Sequence, residues 1–336
     1  MPRRDIIVVS GSTGGIEALS KLLHELPAKL PAAIFAVVHL PPDVESQMPS
    51  ILARATRLEV LPARDGEPIR EGRVYVAPPD EHLLLEPGRM ATTKGPKENG
   101  FRPAVDPLFR TAARVYGERV AGVVLSGALD DGAYGLLLIK REGGVAIAQH
   151  PDEAAVPSMP QHAIKAVEGT HVLPIEKIAS LLVELASGIG KPTPVAAAEN
   201  RGEEDVAVRG GHGLETGSLP GPPSGFTCPD CGGALWEVES GRLLRYRCHL
   251  GHAYNEGAFL HLGDERLEGA MWSALRALEE HAAIRRRLSE RAIVRNWSAL
   301  AETYQTSAEE YEKRADVIRE VLTGMPTETA AAEQEE

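Results

Sequence analysis

Short, wholly apolar runs recur through the first half of the chain, and between them apolar positions repeat every three or four residues. The runs at residues 6–9, 33–39, 73–76, 120–126, 145–149 and 171–173 predict buried strands. The stretches 16–26, 105–116, 133–141 and 175–185 carry the amphipathic period of helices. Strands buried on both faces, alternating with helices, mark βαβ units. The predicted class is therefore α/β, a doubly wound and mostly parallel sheet with helices on both faces. The segment from Arg73 to Thr93 breaks this rhythm. Val74-Tyr75-Val76-Ala77-Pro78-Pro79-Asp80 followed by His82-Leu83-Leu84-Leu85 predicts an antiparallel hairpin at the sheet edge.

Beyond residue 190 the pattern changes. Residues 191–224 are rich in Pro, Gly and Ala, include Glu203-Glu204-Asp205 and hold no period, so a flexible linker is predicted. A compact Cys/His segment follows at 225–258, with strands expected at 235–238 and 243–246. Residues 259–323 are helical in pattern. Trp297, Ala301, Tyr304, Ala308, Tyr311, Ala315, Ile318 and Leu322 are spaced 4-3-4-3-4-3-4, the alternation of a heptad seam. Leu267, Met271, Leu275, Leu278 and Leu288 supply the facing helix, either as a helical hairpin within one chain or in self-association. An acidic, disordered tail is expected at 324–336.

Composition narrows the function classes. A length of 336 residues accommodates one large α/β domain and something smaller. A formal net charge of −12 argues against nucleic-acid binding, which needs a basic surface. No apolar stretch reaches bilayer length, and Met1-Pro2-Arg3-Arg4-Asp5 has no signal-peptide core, so a cytoplasmic protein without membrane insertion is expected. Three cysteines confined to residues 228–248 argue against a disulfide framework.

Candidate chemistry lies at the carboxyl ends of the strands, where open parallel sheets bind ligands. Val9-Ser10-Gly11-Ser12-Thr13-Gly14-Gly15 is a strand breaking into a Gly-rich turn. Such a turn either cradles an anion or presents a serine nucleophile beside an oxyanion hole. His39 ends the second predicted strand, and Asp131 follows the strand at 120–126. A serine hydroxyl becomes nucleophilic when an imidazole takes its proton and a carboxylate orients that imidazole. Each residue also has a plainer reading. Ser12 suits a phosphate turn, His39 a structural hydrogen bond, and Asp131 before Gly132 a helix N-cap. Their common placement at one end of one sheet favours the catalytic combination.

Over residues 4–189 the chain resembles the catalytic domain of the CheB-type chemotaxis protein-glutamate methylesterases. The resemblance rests on Gly11-Ser12-Thr13-Gly14-Gly15, His39-Leu40-Pro41-Pro42, Asp65-Gly66-Glu67-Pro68, Val74-Tyr75-Val76-Ala77-Pro78, Arg102-Pro103-Ala104-Val105-Asp106, Gly127-Ala128-Leu129-Asp130-Asp131-Gly132 and Pro157-Ser158-Met159-Pro160, in the family's order. It implies hydrolysis of glutamyl γ-methyl esters on methylated chemoreceptors with release of methanol, with glutamine deamidation as a second family activity and no catalytic cofactor. It assigns Ser12 as nucleophile, His39 as general base and Asp131 as orienting carboxylate. Thr13, Gly14, Ala128 and Met159 are placed around the oxyanion site and cleft. Two residues depart from the family pattern: Ser10 where Gly is usual, and Ala128 where Met is usual. The chain starts close to its first strand, so control by an attached receiver domain is not expected.

Cys228-Pro229-Asp230-Cys231-Gly232-Gly233 and Cys248-His249-Leu250-Gly251-His252 form two half-sites on a predicted hairpin. Cys228, Cys231, Cys248 and His252 would complete a tetrahedral set suited to structural zinc, with His249 the competing fourth ligand. The plainer reading is buried thiols with surface histidines. A zinc ribbon followed by helices would suit docking to a receptor or another signalling protein. Against the esterase stand a phosphate-binding signalling module, which lacks the P-loop Lys and a GxGxxG, and a non-catalytic scaffold with a degenerate esterase domain.

Overall fold

The computed structural model describes residues 3–39, 46–188 and 221–324. The chain divides after Leu260 into two compact units. The predicted linker and acidic tail lie almost wholly outside the described residues, as do Leu40, Pro41 and Pro42.

In the first unit, seven strands form one parallel sheet: β1 (Ile6–Gly11), β2 (Ala33–Val38), β3 (Glu59–Pro62), β4 (Arg73–Val76), β7 (Val120–Val124), β8 (Val145–Gln149) and β9 (His171–Leu173). Their order is β3-β4-β2-β1-β7-β8-β9. Side chains alternate across each strand. Ile7 and Val9 of β1 therefore enter one core and Ile6 and Val8 the other. The first core is closed by Leu19 and Leu22 of α1 (Gly15–Glu25), Leu52 of α2 (Met48–Ala55), and Ile178 and Leu182 of α6 (Ile175–Ala186). The second is closed by Leu108 and Phe109 of α3 (Val105–Tyr116), Leu136 and Ile139 of α4 (Ala133–Arg141), and Met159 and Ala163 of α5 (Ser158–Ala166).

The antiparallel hairpin differs in its partition from the sequence expectation. Arg73–Val76 pairs in parallel with β2 and β3 inside the main sheet. The hairpin instead joins β5 (His82–Glu86) to β6 (Arg89–Thr93). Its turn is Pro87-Gly88, with Gly88 at φ 74°, the positive φ that the third residue of a type II turn requires.

The Cys/His segment is a four-stranded antiparallel sheet in the order β10 (Pro223–Thr227), β11 (Ala234–Ser240), β12 (Leu243–Cys248) and β13 (Ala253–Asn255). A long helix, α7 (Glu256–Val294), follows directly.

In the second unit α7 pairs with α8 (Ser298–Gly324). Ser289 Oγ donates to the Ala301 carbonyl, Arg286 pairs with Glu312, and Arg319 pairs with Glu279. Ala301, Ala308 and Ala315 are buried on α8, and Leu275, Ala282, Ser289 and Ala292 on α7. Of the leucine series expected on α7, Leu275 is buried and Met271, Leu278 and Leu288 are half-buried, and small residues join them. Leu267 is 54% exposed, and Trp297, before α8, is 51% exposed. Small residues carry the seam because they allow two helices a close approach. No helix among the described residues is long and apolar enough to cross a membrane.

Candidate active site

Ser12 leaves β1 on a tight turn. Its N–H donates to the Ser126 carbonyl at 2.9 Å, and its own carbonyl accepts from Gly15 N at 2.8 Å. Gly14 caps α1 at φ 74°, and a Cβ there would lie 2.7 Å from Ala155 Cβ and 2.8 Å from Ser126 Oγ. Thr13 is exposed, and its carbonyl accepts from Ser126 Oγ at 2.8 Å. Among the described residues no acceptor takes the N–H groups of Thr13 and Gly14. These groups stand at a helix N-terminus, where orphan donors and the helix dipole favour negative charge.

His39 leaves β2 at the same level, since Gly11 of β1 and Val38 of β2 are register partners. Its ring stacks on Phe101 with centroids 3.7 Å apart and planes 6° from parallel. Nε2 lies 2.8 Å from Asp131 Oδ2, and both side chains are buried. Nδ1 is buried and has no hydrogen-bond partner among the described residues. No hydrogen bond joins the Ser12 hydroxyl to His39 among them either. The structure therefore places His39 and Asp131 in direct contact and Ser12 at the adjoining strand end.

Asp131 is held by four donors. Oδ2 accepts from His39 Nε2 and from Val105 N at 2.7 Å; Oδ1 accepts from Asn99 Nδ2 at 2.9 Å and Asp106 N at 3.2 Å. Val105 and Asp106 open α3, so Asp131 caps that helix. It is not the N-cap of α4, the plainer reading of its sequence position. Gly132 occupies that place without a side-chain bond, and Asp106 Oδ1 instead receives Gly135 N at 2.8 Å. Burial disfavours the Asp131 anion, but His39 and the other donors outweigh it and hold the carboxyl below its usual range. An ionised Asp131 requires the proton on Nε2, which leaves the Nδ1 lone pair free to accept. Burial, then the Asp131 charge, pushes the neighbouring Asp106 carboxyl up to about 7. Burial likewise raises Asp130.

The remaining cleft residues fall on the turn after β7 and at the start of α5. Gly127 has no room for a side chain. A Cβ there would meet Met159 Sδ at 2.1 Å and Ser12 Cβ at 2.8 Å. Met159 is buried, and its N–H donates to the Gly127 carbonyl at 2.8 Å. Ala128 is half-buried on the same turn. Ser10 lies buried within β1, its hydroxyl 3.3 Å from the Val123 carbonyl that accepts from it. Sequence reasoning missed Asn99, Phe101 and the role of Asp106. Asp106 falls inside the stretch Arg102-Pro103-Ala104-Val105-Asp106 singled out in the sequence, but Asn99 lies in no motif or period.

Cys228, Cys231, Cys248 and His252 converge, with ligand atoms all within 4.8 Å of one another. Cys231 and Cys248 Sγ are 3.8 Å apart, and His252 Nδ1 is 3.6 Å from Cys228 Sγ and 3.5 Å from Cys248 Sγ. Zn–S of about 2.3 Å and Zn–N of about 2.0–2.1 Å in a tetrahedron give edges of about 3.8 Å and about 3.5 Å, so the donor set fits. His249 stands outside the cluster, its ring against Gly233.

Comparison with known proteins places the chain in a family. The family model described as CheB methylesterase matches residues 7–182. A Pyrococcus horikoshii protein-glutamate methylesterase/protein-glutamine glutaminase is 38% identical over 188 residues, covering 55% of this chain and 51% of that protein. An Anaeromyxobacter dehalogenans protein-glutamate methylesterase/protein-glutamine glutaminase 2 is 40% identical over 183 residues, 54% of each chain. The chain thus spans about half the length of these curated relatives. A Leptospira interrogans relative, 39% identical over 182 residues, is covered over 94% of its length. The crystal structure of the Thermotoga maritima CheB methylesterase catalytic domain aligns at a TM-score of 0.51 and 35% identity, over 54% of this chain and 98% of that one. A family model that matches more than half of the chain and a matching catalytic-domain structure lead to one statement: the chain belongs to the CheB methylesterase family.

Proposed function

We propose that this chain hydrolyses glutamyl γ-methyl esters on chemoreceptor-type proteins, releasing methanol and restoring glutamate. The observation that carries the reading is the buried His39–Asp131 pair at 2.8 Å, with Nδ1 left without a partner at the level of Ser12. Ser12 Oγ attacks the ester carbonyl and gives its proton to His39 Nδ1. The N–H groups of Thr13 and Gly14 receive the oxyanion, donors fixed before the charge develops. The imidazolium, stabilised by Asp131, protonates the departing methoxide. Water then enters by the same base and releases glutamate from the acyl-enzyme. Ammonia in place of methanol as leaving group makes glutamine deamidation the same chemistry, and the relatives' names pair the two activities.

Cys228, Cys231, Cys248 and His252 would hold a structural zinc ion that closes the ribbon and takes no part in the ester chemistry. Metal analysis of the purified chain should give one zinc per chain.

Ser12→Ala should abolish methanol release from methylated receptor while the chain stays folded, and a serine-directed phosphonate should label wild-type Ser12 alone. Undiminished turnover in Ser12→Ala would defeat the assignment. Absence of both labelling and turnover in the wild type would favour a non-catalytic scaffold.

A further inference from the structure

The ribbon is hydrogen-bonded to the residues that hold the triad carboxylate. Strand β13 begins one residue after the metal-ligand position His252. Its Ala253 carbonyl accepts from Asn99 N at 2.7 Å, and its Asn255 N–H donates to Asn99 Oδ1 at 2.7 Å. The Asn99 amide is thereby fixed in orientation, with Nδ2 aimed at Asp131 Oδ1 and Asp106 Oδ2 at 2.9 and 3.0 Å. The Asn255 side chain extends the network, donating to Asp106 Oδ2 and to the Asp130 carbonyl, both at 3.1 Å. Asn99 and Asn255 are each 2% exposed or less, so water does not substitute for these bonds.

We propose that the Cys/His ribbon is a built-in brace on the catalytic carboxylate, with Asn255 as a positioning residue acting through Asn99, so that metal occupancy sets esterase turnover. This rests on the esterase reading above. Four backbone and side-chain bonds from a three-residue strand converge on Asn99, Asp106 and the residue preceding Asp131. That strand is anchored at its start by a metal ligand and continues at its end into α7. Metal at the ribbon fixes His252 and hence the register of β13. Without it the strand keeps its pairing with β12 and the Asp130 cap on the helix that follows, but its leading end is released and the Asn99 amide loses its fixed orientation. A small misplacement of a catalytic group that touches no substrate still costs rate, because the reacting geometry is narrow. Substrate binding is expected to be unaffected, since Asn99 and Asn255 are both buried and their side-chain bonds run to each other, Asp106, Asp130 and Asp131.

The test uses the full chain in three forms: zinc-loaded, stripped by chelator, and Asn255→Ala, which keeps all four metal ligands. Stripping and Asn255→Ala should each lower kcat about tenfold and leave KM unchanged. Both should shift the downfield proton resonance of His39 Nε2–H, the signature of its bond to Asp131. Added zinc should restore the stripped chain and leave Asn255→Ala impaired. Asn99→Gly, which suits the positive φ of 52° there, should make turnover insensitive to stripping. If stripping unfolds the chain, zinc-loaded Asn255→Ala carries the test by itself. Wild-type kcat and an unmoved resonance in that variant overturn the brace. A zinc-loaded wild type that releases no methanol refutes the esterase reading instead, and the resonance still reports on the brace.

Discussion

Asp130 and Asp131 are adjacent in the chain but hold the N-termini of two different helices. Asp131 accepts from Val105 N and Asp106 N at the start of α3, while Asp130 accepts from Gly257 N at 2.8 Å and Ala258 N at 3.1 Å at the start of α7. One pair of carboxylates thus joins the esterase helix beside His39 to the helix that leaves the ribbon. Orphan N–H groups and two helix dipoles stabilise negative charge at this turn. Asp131 is held ionised by its donors, while burial still raises Asp106 and Asp130.

Asp131→Asn tests that balance. Its amide would turn one NH2 group towards donors that now meet a carboxylate, and His39 would lose the partner that fixes its tautomer. Turnover should fall by roughly 10³–10⁴-fold, the loss that the same substitution class causes in serine triads. Stability should fall by roughly 1–3 kcal/mol from unsatisfied buried donors. The wild-type Asp131 carboxyl is lowered, so its contribution is whole above the unfolded value near about 4 and is lost as pH falls through the folded value. Denaturation of both forms across pH should therefore show their stability gap closing below about pH 4.

Gly127→Ala should damage turnover by steric displacement of the nucleophile. The new methyl would meet Met159 Sδ, which can move, and Ser12 Cβ, which cannot without shifting the turn. A displacement of that kind should lower kcat at least tenfold. Met159→Ala in the same chain opens space on one side only, so it should restore folding stability more than turnover. Equal recovery of both would place the strain on Met159 rather than on Ser12.

The seven-stranded sheet is legible in the sequence because strands buried on both faces are written as unbroken apolar runs. In and around the main sheet, α2, β3 and α5 escape that signal. β3, Glu59-Val60-Leu61-Pro62, is a half-exposed edge strand ending in Pro, and α5 carries Pro160 in its first turn. The hairpin is partitioned differently in the structure because Tyr75 and Leu83 lie in equally apolar runs, and only Pro87-Gly88 marks the turn. At the site, His39 and Asp131 stand out because His39 ends one predicted strand and Asp131 follows another. Asn99 and Asn255 do not, because a side-chain amide bridging two segments leaves no period, spacing or composition. The Cys/His cluster is legible from ligand spacing, whereas its attachment to the esterase domain is legible only from hydrogen bonds.

Glu98 should make the attachment of the ribbon sensitive to acid. It is buried between Arg110, at 2.8 Å, and Arg245 of β12, at 3.1 Å. Burial opposes its charge, but the two guanidinium groups prevail and take its carboxyl from 4.5 to about 2. A lowered carboxyl stabilises fully above its unfolded value, so this contribution is intact above pH 4.5 and is lost as pH falls towards 2. Glu98→Gln should cost about 3–5 kcal/mol at neutral pH, since it removes the anion that both buried guanidinium groups contact. Protease protection of residues 221–258 should then fall at neutral pH in the variant and only in acid in the wild type.

The seam between α7 and α8 should respond to size rather than to hydrophobicity. Ala301, Ala308 and Ala315 are buried at 6%, 0% and 2% exposure, seven residues apart. The helices around them are held by Arg286–Glu312 and Arg319–Glu279 and by the His281 ring stacked on Tyr311 at 5.3 Å. Methyl groups at these positions set the distance between the helices, and the flanking ion pairs and ring stack require that distance. Ala308→Leu adds apolar volume where none fits and should destabilise the helical unit by about 1–3 kcal/mol. Ala308→Gly should cost about 1 kcal/mol through helix propensity alone. Thermal unfolding of the two variants separates the readings. A leucine that raises the melting temperature would mean the seam has room for it and that the alanines do not set the helix spacing.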